Sequence, residues 1–142
     1  MSVIRFIRNT GIWAPVVVLI LHELLHSREW RDPIDWFNHF CGGLSFSFFA
    51  WKSMPLLYRW FGTPNRLGRL AVAFLSGCTA ALIWEIYEFL SDTFLHTHIQ
   101  RSVAETMTDI VNGFLGTCTT IALLIFFCRQ SATSHPSSTP ET

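Results

Sequence analysis

The sequence is short of charge, of paired cysteines and of any motif that carries a phosphate or a nucleophile. Only 14% of its 142 residues are Asp, Glu, Lys or Arg, against about 25% in an ordinary soluble domain. The formal net charge is zero, so there is no basic surplus to bind nucleic acid, and no acidic tail. Cys41, Cys78, Cys118 and Cys128 form no CxxC pair and lie in apolar stretches. They read as buried free thiols that pack like small hydrophobes, not as disulfides or Cys metal ligands. No nucleophile elbow, phosphate loop or cofactor fingerprint occurs. A signal-peptide cleavage site is also missing. Arg5 and Arg8 precede an apolar run, but that run ends in Leu21-His22-Glu23-Leu24-Leu25-His26 rather than in small residues, so it is expected to be a retained first span.

What is present is apolar surface. Half the residues are hydrophobic and 15% are aromatic, including 13 Phe and 6 Trp. The length suits one domain, and the composition suits contact with lipid. A helix needs about 20 residues to cross roughly 30 Å of hydrocarbon, and four stretches qualify: about 10–27, 33–52, 69–95 and 104–128. The first is the weakest, being short and holding Pro15, His22, Glu23 and His26. The expected fold is all-α, a polytopic four-helix transmembrane bundle within residues 1–130. Residues 131–142, rich in Ser, Thr and Pro, are expected to form a disordered polar tail.

Lys and Arg set the expected orientation. Arg5, Arg8, Lys52, Arg59, Arg66, Arg69 and Arg129 fall on one side of this topology, and Arg28, Arg31 and Arg101 on the other. Seven against three places both termini in the cytoplasm. Trp30 and Trp36 then lie at the outer interface, and Trp13, Trp51, Tyr58 and Trp60 near the inner one. The segment from Ser53 to Leu67, with Pro55, Gly62 and Pro64, is expected along the inner surface.

Against that apolar background, ionisable residues inside the spans are conspicuous, because each costs about 2.5–3.5 kcal/mol on insertion scales. Asp35, Asn38, His39, Gly42 and Ser45 share a face of the second span. Gly77, Ala81, Glu85, Glu88 and Asp92 do so on the third, and Glu105, Asp109, Asn112, Gly113 and Gly116 on the fourth. His22 and His26 end the first. The outward-running spans carry these residues late and the inward-running ones early, so all four stripes fall in the outer half of the membrane. They are expected to face one site, with glycines letting the helices approach. Asp35, Glu85, Glu88, Glu105 and Asp109 bring five carboxylates, while the nearby cations are His22, His26, His39 and Arg101. Either several carboxyls carry protons or a cation sits among them. Oxygen and imidazole donors suit a divalent metal such as Mg, Mn, Fe or Zn without deciding between them. The alternatives are a hydrogen-bonded network that fixes helix packing, and a proton or ion pathway.

The individual motifs differ in weight. His22-Glu23-Leu24-Leu25-His26 matches HExxH, which on a helix presents two zinc ligands and a base, but five residues are weakly specific and polar groups are cheap at a membrane boundary. Asp35 opens a helix just after Pro33, where the helix dipole favours a carboxylate; His39, one turn deeper, is less easily explained so. Glu85 and Glu88, in the run ALIWEIYEFL, have no Lys or Arg within a turn. Di-iron bundles place Glu-x-x-His in this way, and Glu88 stands where such motifs have His. His96 and His98 lie near the outer loop and read as solvated.

Taken in order, LHELLH, DWFNHFCGG, WEIYEF and ETMTDIVNGFLG resemble the YjdF-like inner-membrane proteins and, more distantly, the VanZ-like membrane proteins. The resemblance covers roughly residues 20–117. It matches His22, Asp35, His39, Gly42, Glu85, Glu88, Asp109 and Gly116, with Glu105 where those families often have Asp. Those families tend to have more spans, and against them the chain reads as shortened at its N-terminus. The resemblance implies a multi-pass protein of the bacterial cytoplasmic (inner) membrane. The VanZ-like link to glycopeptide tolerance points towards the cell envelope.

Two functions therefore stay open. One is a membrane enzyme acting on a lipid or envelope substrate, with metal ligands drawn from His39, Glu85, Glu88, Asp109, Asp35 and His22, and with Glu85 and Glu88 as its catalytic carboxylates. The other is a non-catalytic membrane module that binds an ion, lipid or protein partner through the same cluster. The expected partners are the lipid bilayer and, for a bundle this small, a second copy as a homodimer.

Overall fold

The computed structural model describes residues 2–26 and 31–133. Six helices make up the described chain: α1 (Val3–Thr10), α2 (Trp13–His26), α3 (Arg31–Ser53), α4 (Tyr58–Phe61), α5 (Arg66–Leu95) and α6 (Val103–Thr133), with a 3-10 turn over Met54–Leu57. No strand occurs among the described residues. Arg28, Trp30 and residues 134–142 lie outside the described residues, as do the side chains of His26 and Arg129.

Local chemistry sets the helix ends. The Ser2 hydroxyl accepts from the Arg5 amide at 3.4 Å and so caps α1. Asn65 caps α5 by accepting from the Gly68 amide at 2.8 Å. The Ser102 hydroxyl accepts from the Glu105 amide at 3.1 Å at the start of α6. Such caps satisfy amide groups that a helix start leaves open.

The first expected span, about 10–27, is shortened at its start, with α2 covering Trp13–His26. Gly11 takes a left-handed conformation with φ 72°, and Val3–Thr10 and Trp13–Leu24 meet at 88°. A helix cannot continue through that geometry, which glycine alone adopts at little cost. The 14 residues of α2 rise only about 21 Å, short of a bilayer core. Gly11→Ala is expected to cost about 1–2 kcal/mol from the backbone alone. Its methyl group would also crowd the Phe48 ring edge, 2.9 Å away. A lowered melting midpoint in detergent checks this.

Among the described residues, α5 and α6 (to Cys128) are long and apolar enough to cross a membrane, and the bent pair makes a third crossing if it acts as one span. The 23 residues of α3 reach about 34 Å, but Asp32, Asp35, His39, Lys52 and its serines keep its composition from that of an ordinary span. The reason lies in its position: α3 is the central helix, packed on α2, α5 and α6, so its polar face meets protein rather than lipid. Large apolar side chains such as Leu75, Ile83, Phe89, Val111 and Phe126 face outward instead.

The three central helices meet in layers. Gly43 of α3 lies against the Gly113 carbonyl of α6, and Gly116 of α6 against the Phe40 carbonyl of α3, so close that a Cβ at either would collide with backbone. Gly113 also faces Ala81 of α5, and Gly77 of α5 faces Ser47 and Thr117. The Thr120 hydroxyl donates to the Leu44 carbonyl at 2.9 Å, tying α6 to α3. It is Gly43, not its neighbour Gly42 in the expected stripe, that makes the close approach. One residue turns a helix face by about 100°, and Gly42 looks into open space.

The opposite end of the bundle is basic. Arg66 donates to the Ile125 carbonyl at 3.2 Å. Arg69 donates to the Trp51 carbonyl at 3.3 Å, with its guanidinium 4.1 Å from the Trp51 ring centroid. The segment after α3 exposes Leu56, Leu57, Trp60 and Phe61.

Candidate metal centre

The polar residues of α3, α5 and α6 come together one helical turn beyond the glycine layer. His39 precedes Gly43 by four residues, Asp109 precedes Gly113 by four, and Glu85 follows Ala81 by four, so each shares a face with the residue that sets its helix's approach. Once the backbones are that close, the side chains must converge. All four principal residues are buried, with exposures of 7% for His39, 4% for Glu85, 6% for Glu88 and 5% for Asp109.

His39 is the hub. Its Nδ1 lies 3.2 Å from Glu85 Oε1, and its Nε2 lies 3.7 Å from Asp35 Oδ1 and 3.9 Å from Asp109 Oδ2. Carboxylates thus stand on both sides of one imidazole. Among the described residues, two sets bring potential ligand atoms within 4.8 Å of one another: Asp35, His39 and Asp109, and His39, Glu85 and Glu88. Proximity has not become hydrogen bonding throughout, because His39 Nε2 and Glu85 Oε1 are buried without a hydrogen-bond partner. Such atoms ordinarily cost about 1–3 kcal/mol each, which a bound cation would offset.

A second ring of donors orients the carboxylates. The Trp84 indole N–H donates to Glu88 Oε1 at 2.9 Å. The Gln100 amide donates to Glu85 Oε2 at 3.2 Å and to the Glu85 carbonyl at 3.1 Å. Gln100 is held in turn by Asp92, which accepts from the Thr97 hydroxyl at 2.6 Å and from the amides of Ile99 at 2.6 Å and Gln100 at 2.8 Å. His96 and His98 give this connection its turn by taking left-handed conformations, φ 56° and 57°, and both are exposed. Outer hydrogen bonds of this kind fix ligand orientation in metal sites.

Several expected site residues lie elsewhere. His22 belongs to neither set. It packs edge-on against Trp84, with ring centroids 4.8 Å apart, and so touches the residue that holds Glu88. Glu23 is exposed. Glu105 is occupied by Arg101, whose amide and Nε both donate to it at 2.8 Å. Asp92 is taken up by the α5–α6 connection. Gln100 carried no sequence signal, because it reaches the site across 15 residues from a loop.

Beside His39 runs a groove between α2 and α5, floored by Gly42 and Gly43 of α3. It is apolar along Pro15, Val18 and Ala80, and polar where His22 and Asn38 flank His39.

Residues 11–130 match the family described as "Predicted membrane protein (DUF2238)". An uncharacterized protein of Thermotoga maritima is 31% identical over 90 residues, covering 62% of this chain and 45% of that relative. The chain thus spans less than half the length of the curated relative. No solved structure matches the chain.

Proposed function

The chain belongs to the DUF2238 family of predicted membrane proteins, and from that premise we propose that it is a multi-pass protein of the bacterial inner membrane that holds a divalent metal ion in the cluster around His39. The bent α1–α2 pair, α3, α5 and α6 supply the four crossings, with both termini cytoplasmic. Lys52, Arg66 and Arg69 at the end away from the cluster support that orientation, which sets the cluster on the extracytoplasmic side. Kinship with the YjdF-like proteins, and the more distant one with the VanZ-like proteins, is part of the same proposal and rests on the ordered motifs.

One observation carries the metal reading: His39 Nε2 and Glu85 Oε1 are buried without hydrogen bonds amid four carboxylates. Ser47 Oγ and Thr117 Oγ1 in the glycine layer are unsatisfied too, so what sets His39 Nε2 and Glu85 Oε1 apart is the ring of buried carboxylates around them, which costs a packing network stability and suits a cation. Asp35, Glu85, Glu88 and Asp109 with one imidazole make an oxygen-rich donor set, suited to Mn, Fe, Zn or Mg. In the catalytic form of the proposal, Glu85 and Glu88 also take up or deliver the proton of a reacting water. In the non-catalytic form the ion only anchors a ligand.

Metal analysis of protein purified without chelator tests this. The wild type is expected to carry at least one equivalent of a divalent metal, and Glu85→Ala and Asp109→Ala to carry little. Equal and negligible metal in all three would end the proposal.

A further inference from the structure

The groove beside His39 has a direction. Pro15, Val18 and His22 line it at the three- and four-residue spacing of one face of α2. The seven-residue step from Pro15 to His22 makes it about 10 Å long. Its deep end is apolar and its other end is polar. The polar end is closed by His39, whose Nε2 is buried without a hydrogen bond. The floor at Gly42 is open, since a Cβ there would meet nothing within 4 Å.

Its width selects the occupant. Counting its open side, the groove has about 450 Å³ of empty space, less than a 10 Å length of helix about 10 Å across would fill. A polymethylene chain lying along an open side needs no more than a slot. On that side the groove passes Phe46, Ala80 and Trp84 onto the outward face of α5 at Thr79 and Ile83. In a membrane protein that apolar face meets lipid. The groove is therefore continuous with the lipid contact surface and runs from it to the cluster.

We infer that the groove receives an acyl chain of a membrane phospholipid, with the lipid's phosphate drawn to the cation at His39. The headgroup half rests on the metal reading above, because the bare carboxylates would repel a phosphate. The chain half rests on the groove alone. Glu85 and Glu88 would then stand beside the polar end of the lipid, which makes a phospholipid the substrate or ligand class of this site.

The test uses the full chain in phospholipid nanodiscs doped with a phosphatidylglycerol that carries a diazirine on its acyl chain. Photolabel is expected on peptides containing Val18 and Phe46, above the level at Phe126 and Phe127, which face outward. Gly42→Leu, which fills open space, should cut groove labelling about tenfold, the effect of added methylene bulk in a fitted pocket. Labelling at Phe126 and Phe127 and the metal content should stay unchanged. Leu19→Trp fills the slot from α2 and gives a second variant should Gly42→Leu fold poorly. Groove labelling that equals labelling at Phe126 and Phe127, or that survives both substitutions, overturns the inference. Groove-specific labelling without metal would sink the metal reading and leave the chain site standing; metal without groove-specific labelling would do the reverse.

Discussion

Gly43→Ala is expected to leave no stable bundle, while Gly42→Ala next to it changes stability by no more than about 1 kcal/mol, the ordinary helix propensity difference. The contrast comes from what each Cβ would meet. At Gly43 it would strike the Gly113 carbonyl of α6, and at Gly42 it would strike nothing. Backbone cannot rotate aside as a side chain does, so α3 and α6 must separate. Overpacking a core typically costs about 1–3 kcal/mol, and a helix–helix crossing that loses its closest approach should exceed that range. Gly116→Ala should behave like Gly43→Ala, since its Cβ would meet the Phe40 carbonyl. Melting curves and size-exclusion profiles in detergent read the outcome. A Gly43→Ala protein as stable as wild type would mean that α3 and α6 do not cross as described.

The same layer explains why the sequence disclosed the cluster. Asp35, His39 and Gly42 share a face at three- and four-residue spacing, as do Gly77, Ala81 and Glu85, and Asp109, Gly113 and Gly116. Small residues beside ionisable ones on a helix face say both that the face is buried and what it buries. Convergence of His39, Glu85, Glu88 and Asp109 followed from that pattern. Other features follow from geometry that spacing does not encode. Gly42 and Gly43 are equivalent on paper, and only the rotation of α3 against α6 separates them. The break at Gly11 depends on a left-handed residue, for which a lone glycine in an apolar run is a weak sign. Arg101 captures Glu105 from the first turn of α6, which removes a carboxylate that the shared helix face had assigned to the site. Gln100 reaches Glu85 only because Asp92 folds the connection back over the end of α5. Apolarity, finally, marks helices that face lipid, so α3, the helix at the centre, falls short of an ordinary span in composition although its stretch was expected to cross.

His39→Ala is expected to abolish the dependence of stability on metal, and Gln100→Ala to weaken it. A ligand bound only by the folded state stabilises by about 2.7 kcal/mol at a hundredfold excess over its dissociation constant. Wild-type protein titrated with Mn or Zn to that excess should gain this amount in a thermal or denaturant melt. His39 belongs to both sets of potential ligands, so among the described residues no three-residue set survives its removal and the gain should vanish. The metal-free variant should also lose about 3–5 kcal/mol, because its carboxylates are left buried without the imidazole between them. Gln100 is no ligand in this account; it holds Glu85 Oε2 while Oε1 faces His39. Loss of an orienting partner ordinarily costs 10- to 100-fold in metal affinity. At the same metal concentration the gain should therefore fall to between about 1.4 and 0.4 kcal/mol. A merely structural Gln100 would lower the metal-free melt and leave the metal increment untouched, so the increment separates the two roles. Asp92→Ala should follow Gln100→Ala in direction, since Asp92 acts on the site only through the loop that carries Gln100. If wild type and His39→Ala gain equally from metal, the ion binds elsewhere and the cluster is a packing network after all.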